Sequence, residues 1–195
     1  MSEFSGHLQL RAAARADGRT ILAAQSFRAP FHLSKPYWEP DSRTLLVQVV
    51  NPTAGILAGD RLAAHVVVEA GAALALTTPS ASRVFQMHAG AAISTQHFSV
   101  ANGAWLEAAP EPLVPHRGSR FRQITTVEVE PGGSLFYLEQ LMPGRIGHGE
   151  AWQWESLCLE TTVRLGGELI LRERMDQSGA SLRKLAEFGR SGPTA

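Results

Sequence analysis

Apolar residues along this chain recur at every second position far more often than at a helical period. "TLLVQVV" (44–50), "HVVVE" (65–69), "AISTQHFSV" (92–100), "ITTVEVE" (124–130), "SLFYLE" (134–139) and "ELILRER" (168–174) alternate in this way. They are short, β-branched and bounded by Gly, Pro, Asn or Ser, which predicts strands. A helical period appears only near the end. There "SLRKLAEFG" (181–189) sets Leu182, Leu185 and Phe188 on one side, with Ser181 as cap and Gly189 as stop. The pattern predicts a mainly β fold with one short C-terminal helix.

The alternation also repeats. "VVVEAGAALALTTP" (66–79), "FSVANGAWLEAAP" (98–110), "VEVEPGGSLFYLEQLMP" (127–143) and "TTVRLGGELILRER" (161–174) each join a strand, a Gly-containing turn and a second strand. Aligning Gly71, Gly103, Gly132 and Gly166 superposes Leu74, Leu106, Leu135 and Leu169. A period of this size fits stacked supersecondary units, so hairpins or rungs laid on one another in a β-helix-like, solenoid-like domain are expected. Four positions beyond each aligned Leu stand Thr78, Pro110, Glu139 and Glu173. If all four units stack, two carboxylates share one side of the sheet. They then either face Arg172 or Arg174 at the surface, or point inward and need a cation, an Arg or a water-lined passage.

Composition narrows the class. The 195 residues suit one domain, 1–195, with a sizeable core. Lys+Arg and Asp+Glu balance at 18 each, so nothing in the net charge argues for nucleic acid. No apolar run reaches membrane-span length, and "MSEFSGHLQL" lacks a basic-then-apolar signal pattern. The single cysteine, Cys158, excludes an intrachain disulfide and suits a reducing compartment, so a cytoplasmic location is expected.

The loop "NPTAGILAGDRL" (51–62) invites a phosphate reading and fails it. Gly55 and Gly59 are too close for a Walker loop, and Asp60 stands where that loop carries Lys. The seven histidines form no HExxH or zinc pattern, and "HGE" (148–150) is a weak signal by itself. A metal site here would be carboxylate-rich, open and suited to transient binding. GxSxG is absent, and Cys158 between Leu157 and Leu159 reads as a small core residue. Glu139 and Glu173 together would serve a β-solenoid carbohydrate-active enzyme, which stays open as the alternative, as does a plain β interaction module.

Four motifs in order then carry a resemblance: "NPTAGILAGDRL", "LTTPSASRVF" (76–85), "LEAAPEPLVPHRGSRF" (106–121) and "LEQLMPGRIGHGE" (138–150). Together they resemble the urease accessory protein D family, called H in some organisms, over residues 5 to about 175. The resemblance implies a β-stacked scaffold without enzymatic activity. It implies binding to accessory protein F, recruitment of the GTPase accessory protein G through F, and docking on apo-urease. A water-filled passage through the stack is proposed for this family to carry transient nickel, with no permanently bound cofactor. By this resemblance Asp60, Ser82, Glu139 and Glu173 match passage-lining positions, and Glu150 matches the Glu of the family's Gly-Glu. The chain departs from the pattern by ending early, at "GRSGPTA", which reads as a C-terminally shortened member. It departs again with His116 and His148, to which no role is assigned.

Overall fold

The computed structural model of the chain describes residues 4–40 and 42–188; the expected stop at Gly189 and the "GRSGPTA" ending lie outside them. The first strands are β1 (Phe4–Ala14), β2 (Thr20–Arg28), β3 (His32–Leu33), β4 (Tyr37–Trp38) and β5 (Leu45–Val50). A first repeat follows with β6 (Asp60–Val68), β7 (Ala73–Thr77) and β8 (Ser82–Val84). The second holds β9 (Ala92–Val100), β10 (Trp105–Ala108) and β11 (Leu113–Pro115). The third holds β12 (Arg120–Val129) and β13 (Ser134–Tyr137), with Leu141 bridging to Leu113. A 3-10 turn (Ile146–His148), β14 (Ser156–Leu165), β15 (Glu168–Gln177) and α1 (Gly179–Phe188) complete the order.

Corresponding strands of successive repeats pair in parallel. β1, β6, β9, β12 and β14 form the body of a seven-stranded sheet, closed by β2 at one edge and β15 at the other. β5, β7, β10 and β13 form a second parallel sheet facing it, and β8 with β11 a short third. Each repeat is thus one rung of a β-helix. No strand pairs within its own rung, so its backbone donors and acceptors are satisfied by the rungs before and after.

The aligned glycines make the corners. Ala72, Ala104 and Gly133 donate N–H bonds of 3.0, 3.0 and 2.9 Å to the carbonyls of Glu69, Ala101 and Glu130. These turns put Gly71, Gly103 and Gly132 at φ 72°, 66° and 86°, where a Cβ is strained. Beyond each corner the aligned leucines stack: Leu74 pairs with Leu106, and Leu106 with Leu135. Leu74 and Leu106 are fully buried at the centre of a core that also takes Val66, Val68, Phe98, Val100 and Val127. A second cluster around Trp154, Leu157, Phe121 and Val84 fills the far ends of the long strands.

The fourth unit departs from the expected repeat. β14 joins the stack, but β15 turns back and runs antiparallel to it along the sheet edge. The reason is the turn: Gly166 and Gly167 take φ 57° and 86°, so both central residues are left-handed, with Leu165 opposite Glu168. That is the geometry of a two-residue hairpin rather than a corner. Glu173 therefore does not occupy a rung position equivalent to that of Glu139. The strands β1 and β2 lack a clear alternation signal because "LQLRAAARA" (8–16) and "TILAAQSFR" (20–28) each offer alanine on both faces.

Leu106→Ala, at the middle of the leucine stack, is expected to lower unfolding free energy by about 2–5 kcal/mol. Leu169→Ala, on the half-exposed edge strand, is expected to change it by no more than about 0.5 kcal/mol. Urea titration of both variants checks the contrast.

Candidate functional site

Inward-facing positions of the long strands are mostly apolar, yet midway along them polar residues fall in register. Ala64, Gln96, Thr125 and Thr161 are successive partners across β6, β9, β12 and β14, with Ser94 and Gln123 one inward step away on β9 and β12. Thr125 and Thr161 are buried, and so is Ser94. Across the interior, Tyr137 ends β13 on the same side as Leu135 and is half-buried, while Glu139 lies two residues beyond the strand, exposed at the cavity's edge.

These groups form one directed hydrogen-bond chain. An ionised carboxylate only accepts, so Gln123 presents its amide N–H to Glu139 Oε1, at 2.6 Å. Its own Oε1 then accepts from Gln96 Nε2 at 3.3 Å, and Gln96 Oε1 accepts from Thr125 Oγ1 at 3.4 Å. Tyr137 donates to Thr125 at 3.3 Å, and Thr161 donates to Glu139 Oε2, also at 3.3 Å. Burial first, and then the Glu139 charge, hold the Tyr137 phenol well above its usual pKa, so it remains a donor. Four bonds run in series from Tyr137 to Glu139, each polarising the next in the same sense, and Thr161 donates separately to the same carboxylate.

The chain borders a cavity of about 290 Å³ between the sheets. The cavity reaches from Leu8 and Phe31 at the first strands, past Ser94, Gln96 and Gln123, to Tyr137 and Glu139 at the last complete rung. Its wall on the loop side is formed by residues 53–56 and 77–83. It is large enough for several water molecules, and within a mostly apolar wall the polar row gives them partners.

A model of the UreD urease accessory protein family matches residues 5–194. A urease accessory protein UreD of Opitutus terrae is 66% identical over 193 residues, which cover 99% of this chain and 71% of the relative. The chain belongs to the UreD family. The corresponding protein of Yersinia enterocolitica is 44% identical over 146 residues, 74% of this chain and 45% of the relative, and that of Yersinia pestis 43% over the same length and 52% of the relative. The chain thus spans about half to seven-tenths of the length of these curated relatives.

The five residues matched to UreD motifs fall into three settings. Ser82, which opens β8, and Glu139 line the cavity. Glu173 lies opposite Thr161 in the β14–β15 pair, hence on the same face as the hydroxyl bonded to Glu139. It is exposed, outside the cavity wall. The two carboxylates thus flank one threonine through a hairpin rather than through stacked rungs.

Asp60 and Glu150 are engaged elsewhere. Asp60 is buried at the start of β6 and accepts from the Leu57 N–H at 2.8 Å, while its own N–H donates to the Leu57 carbonyl at 3.2 Å. This reciprocal pair locks the loop's return into the sheet. Gly59, at φ 86°, makes that turn, and Gly55 packs so closely on the Arg83 carbonyl that a Cβ would stand 2.6 Å from it. Glu150, itself nearly buried, takes two bonds from the half-exposed Arg145, at 2.9 and 2.7 Å, in a fork. That bond, with the Arg145 charge, holds its carboxyl below the ordinary value although burial opposes it.

His116 is buried edge-on to Phe85 with the ring centroids 4.8 Å apart, and burial followed by the Arg145 charge pushes its pKa down. His148 is exposed in the 3-10 turn. The aromatics that share the cavity with Glu139 are Phe31, Phe98, Phe121 and Tyr137. Trp105 and Phe136 are exposed, but each neighbours a core leucine on its strand and so points to the opposite face.

Ser94, Gln96, Gln123, Thr125 and Thr161 were not singled out from the sequence. Their signal was present: in "AISTQHFSV" and "FRQITTVEV" polar residues occupy the same parity as core Phe98, Val100 and Val127.

Glu150→Gln is expected to lower stability at pH 7. Because the folded pKa is depressed, the carboxylate's contribution is complete above the unfolded value of 4.5 and is lost as pH falls through the lower folded value. The stability gap between wild type and variant should therefore close below pH 4.5, as urea midpoints measured from pH 7 to 3 will register.

Proposed function

We propose that this chain assists urease maturation as a non-enzymatic scaffold whose interior passes nickel toward apo-urease. The observation that carries the reading is the directed polar chain along a cavity, ending on the exposed carboxylate of Glu139, with Glu111 the other acidic residue of the lining. Family membership supplies the process, since the matching relatives are named urease accessory proteins.

The interior suits a cargo that must move. Nickel as a divalent cation meets amide, hydroxyl and carboxylate oxygens here, each with limited affinity, whereas a closed set of thiolates or imidazoles would retain it. Glu139 already accepts two hydrogen bonds, so an arriving cation exchanges with neutral donors and needs no other cation to leave. Ser82 at the loop wall and Glu173 beyond Thr161 extend the oxygen-bearing path on either side. Asp60 sets the loop that forms the wall, and Glu150 holds the segment after β13 through Arg145. The partners in this reading are accessory protein F, the GTPase accessory protein G recruited through F, and apo-urease, all in the cytoplasm.

Co-expression with F, G and apo-urease tests it. Glu139→Gln keeps the shape and removes the charge, and is expected to lower the nickel content and activation of urease about tenfold, the scale of losing one metal-directed group. Capture of F by the variant should match wild type. Unchanged nickel loading, or loss of F binding together with loading, would overturn the assignment of Glu139 to passage.

A further inference from the structure

We propose that His65 and His97 form a two-imidazole site for a late first-row divalent cation on the outer face of the seven-stranded sheet. His65 on β6 and His97 on β9 are direct partners in parallel register. Their chain neighbours Val66 and Phe98 are core residues, so both imidazoles project outward, away from the cavity. The rings lie beside one another with centroids 5.0 Å apart and planes inclined at 58°. From there a turn about each χ2, a soft torsion in histidine, brings one nitrogen of each ring to the ~2.0–2.1 Å metal–nitrogen distance of a shared ion.

The surroundings favour occupancy. Among the described residues neither ring has a hydrogen-bond or ion-pair partner; their one recorded interaction is with each other. An exposed and a half-buried imidazole held side by side with unused nitrogens are ligands already placed, since the sheet fixes both backbones. Gln9 and Thr126 continue the same row on either side, and each offers a side-chain oxygen. Ala63, Thr95 and Ser99 are the small residues next on that face, leaving room for a hydrated ion. No third His, Cys, Asp or Glu among the described residues completes a larger ligand cluster, so water fills the other positions and the ion exchanges readily. Imidazole ligation selects copper, nickel or zinc over magnesium or calcium.

This site is independent of the proposed passage, which lies on the other face of the sheet. Cu²⁺ is the probe because it binds tightest in the divalent series and reports its nitrogen ligands by EPR. Titrated into the full chain, Cu²⁺ is expected to bind in one equivalent with superhyperfine coupling to two nitrogens, and excess Mg²⁺ should not displace it. His65→Gln and His97→Gln should each weaken binding at least about tenfold and reduce the coupling to one nitrogen. His148→Gln, remote in the 3-10 turn, should bind as wild type, and Glu139→Gln, in the proposed passage, should keep the two-nitrogen coupling; circular dichroism confirms that every variant is folded. Wild-type affinity in either sheet variant, equal loss in His148→Gln, or the absence of two-nitrogen coupling would overturn the proposal. A loss confined to Glu139→Gln would place the ion in the interior instead and overturn it equally.

Discussion

Everything in this molecule depends on the parallel hydrogen-bond ladder between rungs. A parallel strand needs a crossover before its partner can return, and crossovers are usually helices. Here the crossover consists of the other strands of the same rung, so the connection is itself part of the fold. One consequence is that every inward position is stacked on its counterpart one rung away. A favourable residue in that position is reinforced along the stack, as Leu74, Leu106 and Leu135 are. An unfavourable one is multiplied as well.

The polar row is what this multiplication produces at one level of the interior. A single buried glutamine or threonine without a partner costs about 1–3 kcal/mol. Stacked in register, Gln96, Gln123 and Thr125 find partners in one another until Glu139 accepts, and Thr161 donates to Glu139 directly. The ladder therefore makes a polar interior tolerable and gives it direction. The same register, seen from outside, aligns His65 with His97. Interior and exterior chemistry on this sheet are two faces of one pairing.

The last strand shows where the ladder stops. β15 lies antiparallel at the sheet edge with Leu169, Ile170 and Leu171 about half exposed. An edge with unpaired backbone groups and apolar side chains is a surface natural proteins ordinarily cover or blunt with charge. Arg172, Glu173, Arg174 and Asp176 supply charge along its second half, where Arg172 meets Glu160 and Arg174 meets Asp176.

Much of this was legible in the chain by itself. Alternation and the repeat marked the strands from β5 onward except the short β8 and β11; Gly71, Gly103 and Gly132 marked three corners, and Leu74, Leu106 and Leu135 a real stack that Leu169 does not join. These are local signals: strand period follows from the pleat and corner glycines from the left-handed backbone. The sequence alone also placed the chain beside its family through four ordered motifs. Which way the chain goes after a glycine turn was another matter. "PGGS" makes a corner and "LGGE" a hairpin, because Pro131 fixes φ ahead of Gly132 whereas Gly166 and Gly167 both turn left-handed. Only the tertiary structure decided that Glu173 reaches the neighbourhood of Glu139 through a hairpin partner, Thr161. It alone decided that Asp60 and Glu150 spend their oxygens on a turn and on Arg145. A side chain's charge is written in the sequence, but its partner is set by whichever strand the register lays beside it.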